Sequence, residues 1–339
     1  MNTAKLLIVI VGIFILSSCS SQNEKVNGVS FVAYGKPVDE THTKPVVTKI
    51  NANFAAVMPF GFIRTLDNPQ IIHNTERQWF GETRAGAKQY SEELRKQNIK
   101  IMVKPHIWIH RGEFTGFLDM KSEEDWKKFE DSYTSFILEY ADLAQEINAE
   151  IFCVGTELEN FIAKRPIYWD ALIDKIKAKY KGKLTYAANW DEFKRTPFWS
   201  KLDFIGIDAY FPITDEQTPS VEKSIEGWKP HKAVIKALSD KHQKPVLFTE
   251  YGYRSVDYSG KEPWKYDRNM TEVNLEAQVN TSKALYETFW NEDWFAGGFV
   301  WKWFINYDKS GGLENNQFTP QNKPVEKVIK TYYSMREQQ

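Results

Sequence analysis

Eight short apolar runs recur along the chain. They are GVSFVAY from Gly28, NFAAVMP from Asn53, IKIMVKP from Ile99, EIFCVGT from Glu150, KLTYAAN from Lys183, DFIGIDAY from Asp203, KPVLFTE from Lys244 and FAGGFVW from Phe295. Each is nearly continuous rather than alternating, the pattern of strands covered on both faces, as in a parallel sheet. The stretches between them carry a helical repeat. Ser122 with Asp125 three residues on resembles a capping box. Behind it Trp126, Phe129, Tyr133, Phe136, Ile137, Tyr140 and Ala144 fall on one stripe. Pro166 can open the next helix, whose buried face would be Trp169, Leu172, Ile173, Ile176 and Tyr180. Similar periodicity covers 83–97, 229–240, 273–290 and 324–335.

Strand and helix alternating eight times predict an α/β fold, a single (β/α)8 TIM barrel over residues 28–337. An open doubly wound sheet is the competing arrangement. No Gly-x-Gly-x-x-Gly follows the first strand, which argues against a nucleotide-binding version. No break in composition marks a second domain.

The first residues do not belong to that pattern. One positive charge at Lys5, the apolar run LLIVIVGIFIL and the small residues Ser17 and Ser18 make a signal peptide over residues 1–18. At ~1.5 Å per residue the run is too short to cross a ~30 Å hydrocarbon core. Leu16-Ser17-Ser18-Cys19 resembles a bacterial lipobox. That resemblance implies that Cys19 becomes the lipidated first residue, on a flexible tether of residues 19–27, and that membrane contact is through acyl chains alone. The expected location is the bacterial cell envelope: outer membrane, periplasmic or surface-facing. An ordinary signal peptide with an incidental cysteine is the other reading. Cys153 is the other cysteine of the chain, so a mature protein would form no internal disulfide between these two and its core must suffice. In the apolar run Ile151-Phe152-Cys153-Val154 it reads as an inert buried thiol.

Charge and composition narrow the function. Forty-four basic against 45 acidic residues leave a net charge of −1, which disfavours nucleic acid as a partner. The 12 Trp, 16 Tyr and 22 Phe raise the expectation of a ligand with flat apolar faces, as sugars have.

In a barrel, function sits where strands end and βα-loops begin. Those ends hold Pro59, Lys104, His106, Thr156, Glu157, Asn189, Trp190, Asp208, Tyr210, Glu250, Trp301 and Trp303. Glu157 and Glu250 stand out because each closes an apolar run, where a lone carboxylate is costly unless paired or neutralised. Two carboxyls converging on one opening are the machinery of glycoside cleavage, and a separation of ~5–5.5 Å would be the retaining geometry. The plainer alternative places either glutamate in a loop ion pair.

Particular strings resemble glycoside hydrolase family 113, the β-mannanase family within clan A of the glycoside hydrolases. They are Val103-Lys104-Pro105-His106-Ile107-Trp108, Val154-Gly155-Thr156-Glu157-Leu158, Phe248-Thr249-Glu250-Tyr251-Gly252 and Gly298-Phe299-Val300-Trp301-Lys302-Trp303. Phe318-Thr319-Pro320 through Lys323-Pro324 extends the match, so that the resemblance runs in order from about Asn27 to Tyr333. It implies a retaining hydrolase of β-1,4-linked mannan, glucomannan or manno-oligosaccharides that needs no cofactor or metal. A monomer is expected. Glu157 would be its acid/base and Glu250 its nucleophile. Many clan members carry Asn before the acid/base; this chain has Thr156, so Asn189 becomes a candidate for holding the sugar 2-hydroxyl. Tyr210 would hydrogen-bond Glu250, or else be a core residue. Lys104 and His106 would contact the sugar at the −1 subsite. Trp301 is the favoured platform there and Trp303 the favoured wall or core residue, although their equal parity does not separate them.

Several alternatives remain at this level. His106 and His110 have a metal-compatible spacing, but they straddle a strand end without a third ligand close by. Glu159 rivals Glu157 as the acid/base. Asp208 can bind substrate or brace Lys104, and Trp79, Trp108 and Trp190 are candidate outer platforms. The same mechanism on glucan or xylan stays open, as do endo or exo action and a catalytically silent glycan-binding lipoprotein.

Overall fold

The computed structural model describes residues 24–266 and 272–335. Cys19 and the signal peptide therefore lie outside the described residues. Eight parallel strands close into a barrel, in ring order β1-β8-β7-β6-β5-β4-β3-β2. They are β1 (Val26–Phe31), β2 (Phe54–Val57), β3 (Lys100–Val103), β4 (Ile151–Thr156), β5 (Lys183–Asn189), β6 (Ile205–Asp208), β7 (Val246–Tyr251) and β8 (Phe295–Trp303). All eight apolar runs supply one strand each, so the expected (β/α)8 barrel is the fold. Closure is through β1, which pairs Gly28 with Phe54 of β2 and Val26 with Gly297 of β8.

The helices are α1 (Glu40–Ile50), α2 (Arg84–Arg95), α3 (Glu123–Glu146), α4 (Glu159–Lys164), α5 (Pro166–Lys179), α6 (Val221–His242), α7 (Leu275–Phe289) and α8 (Pro324–Ser334). Ser122 caps α3 by accepting from the Asp125 N–H, and the aromatic stripe behind it is buried. Three features depart from the expectation. The β5–β6 connection carries a single 3-10 turn, Trp199–Lys201, where an α-helix was expected. Helix α1 is nearly silent in sequence because Pro45 interrupts a mostly polar segment; it is held by an Asp39 cap and by burial of Val46 and Ile50. Helix α6 begins at Val221, ahead of the expected 229, and runs through Pro230. The tether is also shorter than expected, since Val26 and Asn27 are already buried in β1.

Two apolar bodies hold the fold. The larger lies between barrel and helices, and the smaller fills the floor of the barrel with Val26, Phe54, Ala56, Met102, Ile151, Phe204, Leu247 and Phe299. Gly28 is required there: a Cβ at this position would stand 2.4 Å from the Phe299 ring. This plug separates the mouth from the lower end of the barrel. Among the described residues no helix is long and apolar enough to cross a membrane.

Candidate active site

The mouth is built by strand ends that do not finish regularly. Opposite β5, β4 spends three residues (Cys153 to Thr156) where its partner spends two, just before Glu157. Strand β7 carries one extra residue against β6, with Ile207 and Asp208 pairing Phe248 and Glu250. Strand β8 does the same against β1 between Val300 and Trp303. Such bulges re-aim the side chains that follow them. Glu157 itself adopts a left-handed backbone, with φ of 51°. For a residue with a Cβ this conformation is unfavourable and persists only when its surroundings impose it.

A cavity of about 640 Å³ opens at this end, and both Glu157 and Glu250 line it. His106, Thr156, Trp301 and Lys302 line the same end. One wall is a two-stranded parallel ribbon, Phe60–Ile63 against His106–Ile109, which grows from the ends of β2 and β3. Phe60, Phe62, Trp108 and Phe114 give that wall apolar faces, and Trp79 stands beside it, 56% exposed. A groove of this size, largely apolar with a few convergent polar groups, is the form of a small-molecule site.

Beneath the cavity lies a fully buried ion cluster. Lys104 Nζ donates to Glu250 Oε1 at 2.5 Å and to Asp208 Oδ1 at 3.0 Å. Thr249 Oγ1 donates to Asp208 at 2.7 Å, and Tyr210 Oη donates to Glu250 Oε2 at 2.8 Å. Burial opposes the charge on Lys104, but Asp208 and Glu250 outweigh it and hold the ammonium above its ordinary range. Burial and the Asp208 charge push Glu250 up to about 7, while Lys104 and Tyr210 pull it back down.

Glu157 is treated differently by the fold. Among the described residues no side chain or backbone group donates to its carboxyl. Burial, then Asp208 and Glu250, raise it well above the usual carboxylate range. Within the pair, Glu157 is therefore the group that keeps a proton and Glu250 the one stabilised as an anion. Two carboxyls held apart in this way can serve as an acid and a base. His106 sits with Nε2 3.7 Å from Glu250 Oε1, buried and without a hydrogen-bond partner. Burial and the Lys104 charge lower it well below its ordinary value, so it is neutral and has a ring nitrogen free for a ligand.

Several expected contacts are corrected by these positions. Lys104 is wholly buried and cannot touch a sugar; its role is to pair with the carboxylates. Asp208 is likewise buried and braces Lys104. Trp303 is fully buried in the outer core, stacked on Tyr307 at 5.8 Å, and lines nothing. Tyr210 reaches Glu250 from behind and lies outside the cavity lining. Asn189 is also outside the lining, its side-chain oxygen accepting from the Trp190 N–H at 2.9 Å. Trp301 does line the cavity and stacks on His106 at 6.4 Å and 27°. Glu159 opens α4 and is paired with Arg195 at 2.6 Å, away from the cavity. His110 is exposed at the far end of the ribbon. Trp190 stacks on Trp264 at 5.0 Å, on residues that do not line the cavity.

The sequence reading missed Lys302 and the ribbon phenylalanines. Lys302 lines the cavity with its ammonium 5.2 Å from the Trp301 ring centre. Its signal was its place between two tryptophans already under consideration. The pairing of Phe60–Ile63 with His106–Ile109 is not among the elements expected from the sequence.

Comparison with known proteins agrees with this geometry. The chain is similar in structure to a glycoside hydrolase family 113 β-mannanase from Alicyclobacillus acidocaldarius, with a TM-score of 0.80, 23% identity and coverage of 91% of this chain and 97% of that one. A second family 113 structure, a β-1,4-mannanase in complex, gives a TM-score of 0.80 at 21% identity, covering 92% and 100%. A β-glucuronidase from Faecalibacterium prausnitzii shares the barrel more distantly, with a TM-score of 0.62 at 14% identity over 92% of this chain and 49% of its own. At such identities these likenesses speak for the fold alone. No curated protein sequence matches. The family model for Glycoside Hydrolase Family 113, however, matches residues 38–323, most of the barrel and both cavity glutamates, and on that span the chain belongs to glycoside hydrolase family 113.

Proposed function

We propose that this protein is a retaining glycoside hydrolase that cleaves β-1,4-mannosidic bonds in mannan, glucomannan or manno-oligosaccharides. The observation that carries the reading is the unequal treatment of two glutamates on one cavity: Glu250 receives Lys104 and Tyr210, whereas Glu157 receives no donor. Glu250, ionised, attacks the anomeric carbon while Glu157 passes its proton to the departing glycosidic oxygen. A covalent glycosyl ester on Glu250 results. Glu157, now a carboxylate, takes a proton from water, and that water displaces Glu250 with net retention. Trp301 offers the face for the reacting ring, and His106 Nε2 a polar contact for one of its hydroxyls. Mannan as the substrate is supported by family membership and by the β-mannanases among the similar structures.

The lipobox-like Leu16-Ser17-Ser18-Cys19 supports acylation at Cys19 and residence in the bacterial cell envelope. Metabolic labelling with palmitate that is abolished by Cys19→Ala tests the anchor.

The enzymatic reading is tested by trapping with a 2-deoxy-2-fluoro-β-mannoside and mapping the labelled peptide. Label on Glu250 and β-configured first products by NMR are expected. Label elsewhere, inverted products, or hydrolysis of glucan or xylan faster than mannan overturns the assignment or its substrate.

A further inference from the structure

Behind Glu157 lies a hydrogen-bond chain that the steps above do not use. The Glu157 N–H is fastened to Ala187 O at 2.8 Å on β5, and the next residue, Leu158, donates its N–H to Tyr186 Oη at 2.7 Å. Tyr186 Oη in turn donates to Glu192 Oε1 at 2.6 Å, and Glu192 Oε2 accepts the Asn189 N–H at 3.0 Å. Tyr186 and Glu192 are fully buried. No ammonium or guanidinium among the described residues pairs with Glu192, so a carboxyl has been placed in the interior for hydrogen bonding alone.

The chain has a direction. Tyr186 has one proton; it must accept from Leu158 and can therefore donate only towards Glu192. An ionised Glu192 accepts at both oxygens and leaves every group satisfied. A proton on Oε1 would face the tyrosine hydroxyl, and one on Oε2 would face the Asn189 N–H. Either form strands a buried donor. Burial nonetheless pushes Glu192 up to about 8, with Glu159 and Asp208 adding to the rise and the Tyr186 and Asn189 donors opposing it. Facing Glu157 itself are Asp208, Glu250, Lys104 and Glu192.

We infer that Glu192, acting through Tyr186, is a positioning residue for Glu157: it locks the left-handed turn that aims the acid/base at the leaving oxygen. The inference rests on Glu157 being the acid/base. The turn supplies the reason a lock is needed, since an unfavourable φ relaxes unless neighbouring groups hold it. Without the Tyr186 acceptor the Leu158 N–H, buried beside the reacting carboxyl, would have to find another partner by moving the backbone.

The test compares substrates that differ in their need for the proton. Glu192→Gln and Tyr186→Phe are made in the whole chain, with Glu157→Gln as the control. Mannopentaose requires protonation of its leaving alcohol, whereas a 2,4-dinitrophenyl β-mannobioside does not, and its first step is read as the burst of dinitrophenolate. On mannopentaose kcat should fall about 10- to 100-fold in both variants, with KM within about twofold, the scale of impaired proton transfer. The burst rate should change less than about threefold. Equal losses on both substrates, or near wild-type kinetics on both, overturn the inference. A Glu157→Gln control without this leaving-group dependence instead overturns the acid/base reading beneath it. Should Tyr186→Phe fail to fold, Glu192→Gln, which keeps the tyrosine, still decides.

Discussion

Replacing Lys104 by Met keeps the length of the side chain and removes the one cation of the buried cluster. In the native protein its ammonium lies 2.5 Å from Glu250 and 3.0 Å from Asp208. With the charge centres ~4 Å apart, such a pair is worth about 4 kcal/mol at an effective dielectric of ~20, or roughly 3 pH units on the partner. Glu250 already stands at about 7 with Lys104 present. Without it, two buried carboxyls face each other and cannot both ionise, so Glu250 is pushed higher by up to ~3 units. The nucleophile must be an anion, so the acidic limb of kcat/KM moves to higher pH. At pH 7 the activity on mannopentaose should fall about a thousandfold and recover in part towards pH 9. The assay is kcat/KM from pH 4 to 9, with circular dichroism and thermal melting to confirm an intact barrel. If activity falls equally at every pH while the limb stays in place, Lys104 acts through packing and the electrostatic reasoning fails.

Three further outcomes follow from the same structure. Trp301→Ala should raise KM on manno-oligosaccharides about tenfold, on the scale of ~1.5 kcal/mol for a lost aromatic face, with the barrel still folded; an unchanged KM would remove Trp301 as the platform. Glu157 carries a carboxyl raised on folding, so it stabilises the fold at pH below the unfolded value and withdraws that contribution as pH rises. Glu157→Gln should therefore melt a few degrees higher than wild type at pH 8, with the difference shrinking towards pH 4, as differential scanning calorimetry would record. Gly28→Val would drive a side chain into the Phe299 ring and should cost ~1–3 kcal/mol, seen as a lower urea midpoint.

Much of this protein is legible without coordinates. Eight unbroken apolar runs, each too short and too fully apolar for a surface element, leave few options besides a closed parallel barrel, because both faces of every strand must be covered. Glu157 and Glu250 are legible for the converse reason: a carboxylate at the end of such a run has no packing use. What the chain alone does not decide is depth and aim. Alternation says which side of a strand a residue faces only while the ladder is regular, and each of the strands bearing Glu157, Glu250 and Trp301 carries an extra residue beside it. That is why Trp301 and Trp303, alike in parity, part into cavity and core. Lys104 and His106 part for another reason: β3 ends at Val103 and His106 opens the ribbon, so Lys104 sinks beneath the mouth while His106 lines it. Glu192 and Tyr186 were invisible for a related reason, since their partner Leu158 lies on the neighbouring strand's loop and meets them only after the barrel closes. Local sequence sets which segments must be buried; the unequal environments that turn two similar carboxyls into different chemical groups arise from charges and donors brought together from distant strands.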